Sequence, residues 1–161
     1  GVQTCALPIW TLELIRKLHK KGYPYHIYYI GAGEQERELK EKTERYNLTG
    51  YVHFLGYQAN PYKYLKEMKV LVTMSLQEGF SGTCVEALSL GVPFVSTDVG
   101  GAKELSQDGV MGKIVRTDEE AMNAIIQYVS TENRPDYQEM RDFIEKFTIE
   151  NQMQKINDML D

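Results

Sequence analysis

Cysteine, histidine and uninterrupted apolar sequence are all scarce in this 161-residue chain. There are two cysteines, Cys5 and Cys84, too few for a disulfide framework, so a reducing, cytoplasmic setting is expected. The three histidines, His19, His26 and His53, are scattered without metal-ligand spacing, and no metal or other cofactor is expected. No apolar stretch approaches the ~20 residues needed to span a bilayer. Basic residues are the minority, 18 Lys and Arg against 23 Asp and Glu, for a net charge of −5. That balance excludes the basic footprint of a nucleic-acid-binding domain. Internal repeats and low-complexity tracts are absent as well, so one ordinary domain is expected.

The first nine residues, GVQTCALPI, back-translate in frame to a common short-read sequencing adapter. They lack the basic start and long apolar stretch of a signal peptide. The expectation is that 1–9 are an artefact, that Cys5 goes with them, and that 10–161 form the domain.

Apolar and polar residues then alternate between two periods. Leu12, Ile15 and Leu18 recur at helical spacing over Trp10 to Lys21, and Gly22 stops the run. Tyr25 to Ile30 reads as a buried strand leading into Gly31-Ala32-Gly33. A charged helix is predicted over Glu34 to Tyr46, with i,i+4 pairs on a solvated face. Further strands are predicted at Tyr51–Leu55, Val70–Met74, Pro93–Ser96 and Gly112–Val115. Helices are predicted from Pro61 to Glu67, Thr83 to Leu90, Gly101 to Ser106, Glu119 to Ser130, Tyr137 to Lys146 and Ile149 to Leu160. Alternating strands and helices specify an α/β fold, a Rossmann-like parallel sheet flanked by helices. Ligands bind such sheets beyond the strand carboxyl ends. The glycine turns at Gly31–Gly33, Gly56, Gly79–Gly82 and Gly100–Gly101 all follow predicted strands, so they should converge there.

The run Glu78-Gly79-Phe80-Ser81-Gly82-Thr83-Cys84-Val85-Glu86-Ala87 carries the chemistry. Glu78 lies in a glycine-rich loop, and Glu86 lies about one turn into the helix that follows. A helix N-terminus offers unpaired N–H groups and a positive dipole end, which suit a phosphate. Carboxylates on either side of a phosphate site suit hydroxyl groups. Ribose, diphosphate and hexose in a nucleotide-sugar follow that order.

With its continuation through Gly91-Val92-Pro93 to Gly100-Gly101, the run resembles the donor-binding motif of retaining glycosyltransferases of the GT-B fold, glycosyltransferase family 4 or group 1. The resemblance covers almost all of Trp10 to Asp161 and implies the C-terminal, donor-binding lobe. It also implies that the N-terminal lobe, which carries acceptor contacts, and the opening strand of this lobe, with an Arg and a Lys for the diphosphate, are missing. By resemblance Glu78 accepts hydroxyls of the transferred sugar and is the catalytic candidate, while Glu86 accepts the two ribose hydroxyls. The amides of Phe80 and Ser81 would face the sugar, and those of Gly82 and Thr83 the diphosphate. Gly79 belongs to the same loop. Gly31 and Gly33 would keep room for the donor, and Leu55 and Gly56 would lie beside the base. Ser81 stands where the family commonly has glycine. The partners implied are a nucleotide-sugar, with UDP as the expected nucleotide, and a surface polysaccharide or glycolipid acceptor. The full enzyme would work in the cytoplasm, with peripheral association at the inner membrane face. The 10–161 piece alone would be inactive.

Two other functions fit some of these features. A nucleotide-sugar epimerase of the same fold shares donor contacts, although Glu-x7-Glu followed by Gly-x-Pro suits transferases better. A non-catalytic nucleotide-binding module is the third reading. Elsewhere the plainer roles are expected. Cys84 packs as a small apolar residue, the histidines are structural or solvated, Asp98 serves a turn, and most tyrosines pack, with Tyr57 a candidate to touch the base.

Overall fold

The computed structural model describes residues 8–76, 81–130 and 135–146. Glu78, Gly79 and Phe80 of the candidate site, and the helix expected over 149–160, lie outside the described residues.

Helix α1 (Pro8–Lys20) buries Leu12, Leu14, Ile15 and Leu18 on one stripe, the three-to-four spacing of an amphipathic helix. It begins two residues before Trp10. Proline has a φ already suited to a first turn, and the Thr11 hydroxyl donates to the Pro8 carbonyl at 2.8 Å. Gly22, at φ +88°, ends the segment and turns the chain toward β1 (Ile27–Ile30). Helix α2 (Glu36–Arg45), β2 (Val52–Gly56), the single-turn α3 (Tyr62–Leu65), β3 (Leu71–Thr73) and α4 (Gly82–Ser89) follow. Then come β4 (Phe94–Ser96), α5 (Ala102–Ser106), β5 (Gly112–Ile114), α6 (Asp118–Ser130) and α7 (Tyr137–Glu145).

All strands run parallel, as the alternation of helices and strands requires. They form two ladders, β1-β2 and β3-β4-β5, where a single sheet was expected. Among the described residues no strand joins β1 to β3. The two ladders nevertheless share one core, because Ile27 and Tyr29 of β1 pack on the same cluster as Val70 and Val72.

Neighbouring residues of β4 show how the layers are arranged. Val95 enters the cluster built by α1, α2 and α6, while Phe94 enters the cluster built by α4, α5 and α7. Successive side chains of a strand point to opposite faces, so helices cover both sides of the sheet. A third small cluster, Leu65, Ala87 and Val92, seats α3 against α4. Trp10 Nε1–H donates to Asp118 Oδ1 at 2.6 Å and Lys17 pairs with the same carboxylate, fastening α1 to α6.

Candidate functional site

Within each ladder the parallel strands place the loops that follow them at one end. Hydrogen bonds tie these loops together in pairs. The Gly31 N–H donates to the Gly56 carbonyl at 2.8 Å, joining the loops after β1 and β2. Ser81 N–H donates to the Gly100 carbonyl at 2.7 Å, joining the approach to α4 with the loop after β4. Thr97 adds a third tie: its hydroxyl accepts from the Ser75 N–H at 3.0 Å and donates to the Ser75 carbonyl at 2.6 Å.

Gly31 (φ +119°) and Gly56 (φ +62°) hold backbone conformations that a side chain would strain. A Cβ at Gly31, Gly33, Gly56 or Gly82 would meet nothing within 4 Å, so these glycines border open space. Leu55 is half-buried, and its carbonyl is occupied by the Gln58 side-chain amide at 2.6 Å.

Helix α4 points its N-terminus into this end. Ser81, its N-cap residue, has φ −81°, a value open to any residue, so serine in place of glycine carries no backbone strain. The Ser81 side chain is buried and its hydroxyl lies 3.0 Å from Cys84 Sγ. The Ser81 side chain makes no capping hydrogen bond to the helix. The Ser81 amide, expected to face the sugar, is consumed by Gly100. The Gly82 and Thr83 amides have no acceptor among the described residues, so they remain the donors that the helix end presents. Cys84 is fully buried among apolar side chains.

Glu86 sits four residues into α4, half-buried. Its Oε1 accepts a hydrogen bond from the Tyr62 hydroxyl at 3.1 Å, and no cation pairs with it among the described residues. The same bond holds the Tyr62 phenol above its ordinary pKa, because the adjacent carboxylate opposes phenolate formation. Sequence reasoning put most tyrosines down to packing without singling out Tyr62, and gave Thr97 no role. Pro61 opening a helix was visible, but the approach of Tyr62 to a residue 24 positions away was not.

The remaining candidates separate from this end. His26 Nδ1 and His53 Nε2 are 2.9 Å apart on the exposed face of β1-β2, and among the described residues no three metal-ligating side chains converge. A cavity of about 450 Å³, lined by Arg16, His19, Lys20 and Arg45, lies at the carboxyl ends of α1 and α2, the opposite end of the strands. No helix among the described residues is long and apolar enough to cross a membrane.

Comparison with known proteins agrees with this arrangement. The sequence profile of a family described as "Glycosyl transferases group 1" matches residues 8–131. An uncharacterized glycosyltransferase of Methanocaldococcus jannaschii is 45% identical over 90 residues, covering 55% of this chain and 22% of that protein. The N-acetylgalactosamine-N,N'-diacetylbacillosaminyl-diphospho-undecaprenol 4-alpha-N-acetylgalactosaminyltransferase of Campylobacter jejuni is 33% identical over 119 residues, covering 73% of this chain and 32% of that protein. Among solved structures, a point mutant of TarM from S. aureus, in complex with fondaparinux, alpha-GlcNAc-glycerol and UDP, superposes with a TM-score of 0.84 at 23% identity. That match covers 98% of this chain and 33% of TarM. The chain therefore spans between a fifth and a third of the length of these relatives. With the profile matched over most of its length and the fold shared with GT-B enzymes, the chain belongs to the group 1 glycosyltransferases.

Proposed function

We propose that this chain is the nucleotide-sugar-binding lobe of a retaining glycosyltransferase that passes a sugar to a polysaccharide or glycolipid acceptor. The observation that carries this reading is the open N-terminus of α4, where Gly82 borders open space, with Glu86 about one turn along the same helix. The Gly82 and Thr83 amides suit the diphosphate, where negative charge grows as the sugar leaves. Glu86 suits the ribose, because a carboxylate accepts two adjacent hydroxyls. Glu78 is assigned to the transferred sugar from its place in the motif. UDP is the proposed nucleotide, since UDP is bound in the TarM complex. The acceptor would be met by a second lobe, and this chain alone would not transfer sugar.

The sheet supports one structural corollary. In a strand–helix–strand unit the two strands lie parallel and side by side, joined by a right-handed crossover. Helix α1 leads into β1, so a strand preceding α1 would lie beside β1 on the edge away from β2. That position falls between β1 and β3 and would merge the two ladders into one sheet.

Titration of the chain with UDP, GDP and ADP, followed by amide NMR, tests the functional reading. Shifts confined to the Gly31, Leu55 and Gly82–Glu86 segments, strongest for one base and lost in Glu86→Ala, are expected. A folded chain in which no nucleotide moves those segments at millimolar concentration overturns it.

A further inference from the structure

We infer that Tyr62 is a positioning residue for the ribose, orienting the Glu86 carboxylate without neutralising it. This rests on the proposed role of Glu86.

Three observations combine. First, the contact is built into the packing. Leu65 and Ala87 belong to the cluster that joins α3 to α4. Tyr62 precedes Leu65 by three residues, one turn back on the same helical face, and Glu86 is next to Ala87. The apolar seat therefore fixes the register at which phenol and carboxylate meet. Second, the partner is neutral. A lysine or arginine in that place would hold Glu86 equally well but would cancel its charge. A phenol O–H pins one oxygen and leaves the carboxylate negative, with most of its roughly four acceptor positions open. Such a group can still accept from two adjacent O–H donors, as a sugar diol offers. Third, the location suits a nucleoside. Tyr62 lies six residues after Gly56, which ends the strand proposed to border the base. The residue is 45% exposed, so a ligand can reach it while the hydroxyl is engaged.

An unpinned glutamate samples several rotamers, and that freedom is lost when a ligand binds. Tyr62 removes part of this loss beforehand, so its contribution should appear in the discrimination between ribose and deoxyribose. Packing lost at α3 would not produce that pattern.

The test compares UDP, 2′-deoxy-UDP and 3′-deoxy-UDP by NMR titration or calorimetry on the wild-type chain, Tyr62→Phe and Glu86→Ala. The ring is half-exposed, and Tyr62→Phe keeps it, so an unchanged amide spectrum away from α3 and α4 confirms the fold. Wild type is expected to bind UDP about tenfold tighter than at least one deoxy analogue. Tyr62→Phe should reduce that ratio to about threefold or less while leaving the affinity for that analogue nearly unchanged. Glu86→Ala should bring the ratio to about one. A wild-type ratio retained in Tyr62→Phe overturns the inference and leaves the proposed function standing. Tighter UDP binding by Tyr62→Phe also overturns it, by showing that the phenol competes with the ribose. A wild-type chain that binds UDP without discrimination, or does not bind it, overturns the assignment of Glu86 and this inference with it.

Discussion

Replacing Thr97 with valine is the sharpest test of how the fold holds its loops. Thr97 Oγ1 makes two bonds to one residue, accepting from the Ser75 N–H at 3.0 Å and donating to the Ser75 carbonyl at 2.6 Å. Ser75 is 1% exposed, so water cannot readily replace what is lost. Valine keeps the β-branched shape and opens no cavity, leaving the hydrogen bonds as the main difference. Two neutral bonds at about 1 kcal/mol each give about 2 kcal/mol. For a chain of this size that is a fall in Tm of roughly 4–8 °C. Thr97→Ser keeps the oxygen and should cost under about 1 kcal/mol. Urea unfolding of the three proteins measures this directly, with the slope m unchanged if the native and denatured states keep their compactness. Ser75 lies three residues before Glu78 in the chain, so UDP affinity should fall in Thr97→Val more than in Thr97→Ser. If Thr97→Val unfolds within about 0.5 kcal/mol of wild type, the Thr97–Ser75 bridge does not hold the two strand ends together and the reasoning fails.

Two further outcomes are expected. Lys17 first, and Trp10 second, hold the Asp118 carboxyl below its usual pKa. A depressed carboxylate adds stability above its unfolded value, near 3.9, and loses it as pH falls through the lower folded value. Both side chains of the ion pair are a third or more exposed, so the effect is about 0.5–1 kcal/mol. Stability measured between pH 6 and pH 2 should therefore fall less steeply in Asp118→Asn than in wild type, and parallel curves would count against the staple. The second outcome concerns the open strand edges. Ile27 N–H bonds toward β2 and Leu71 N–H toward β4, so Tyr28 and Val72 point to the opposite edges. Hydrogen exchange should be fast at Tyr28 and Val72 and slow at Phe94 and Val95 of the central strand β4, and equal protection would refute an open slot between β1 and β3.

Much of this architecture was legible in the chain itself. Periodicity located every described helix and strand, with ends moved by a few residues, because each element has one face that must be buried whatever its neighbours are. Leu12, Ile15 and Leu18 announce α1 at any position in a fold, and Gly31 and Gly56 mark turns through their own backbone freedom. The Glu-x7-Glu run placed Glu86 on a helix and the amides of Gly82 and Thr83 at its start, since those are local facts about a loop entering a helix.

Contacts between distant segments were decided only in three dimensions. Nothing in the spacing of Tyr62 and Glu86 requires them to meet. They meet because Leu65 and Ala87 are buried in one small cluster. The Ser81 amide looked free to bind a ligand, but the return of Gly100 beside it claims that donor. The division of the strands into two ladders likewise depends on which edges find partners, which strand periodicity does not encode. Sequence by itself determined the elements, because these follow from local geometry and residue chemistry, and it carried the motif whose resemblance pointed to the family. The tertiary structure alone decided which donors of that motif remain open and which neighbour orients its carboxylate, because hydrogen-bond partners far apart in the chain are chosen by packing.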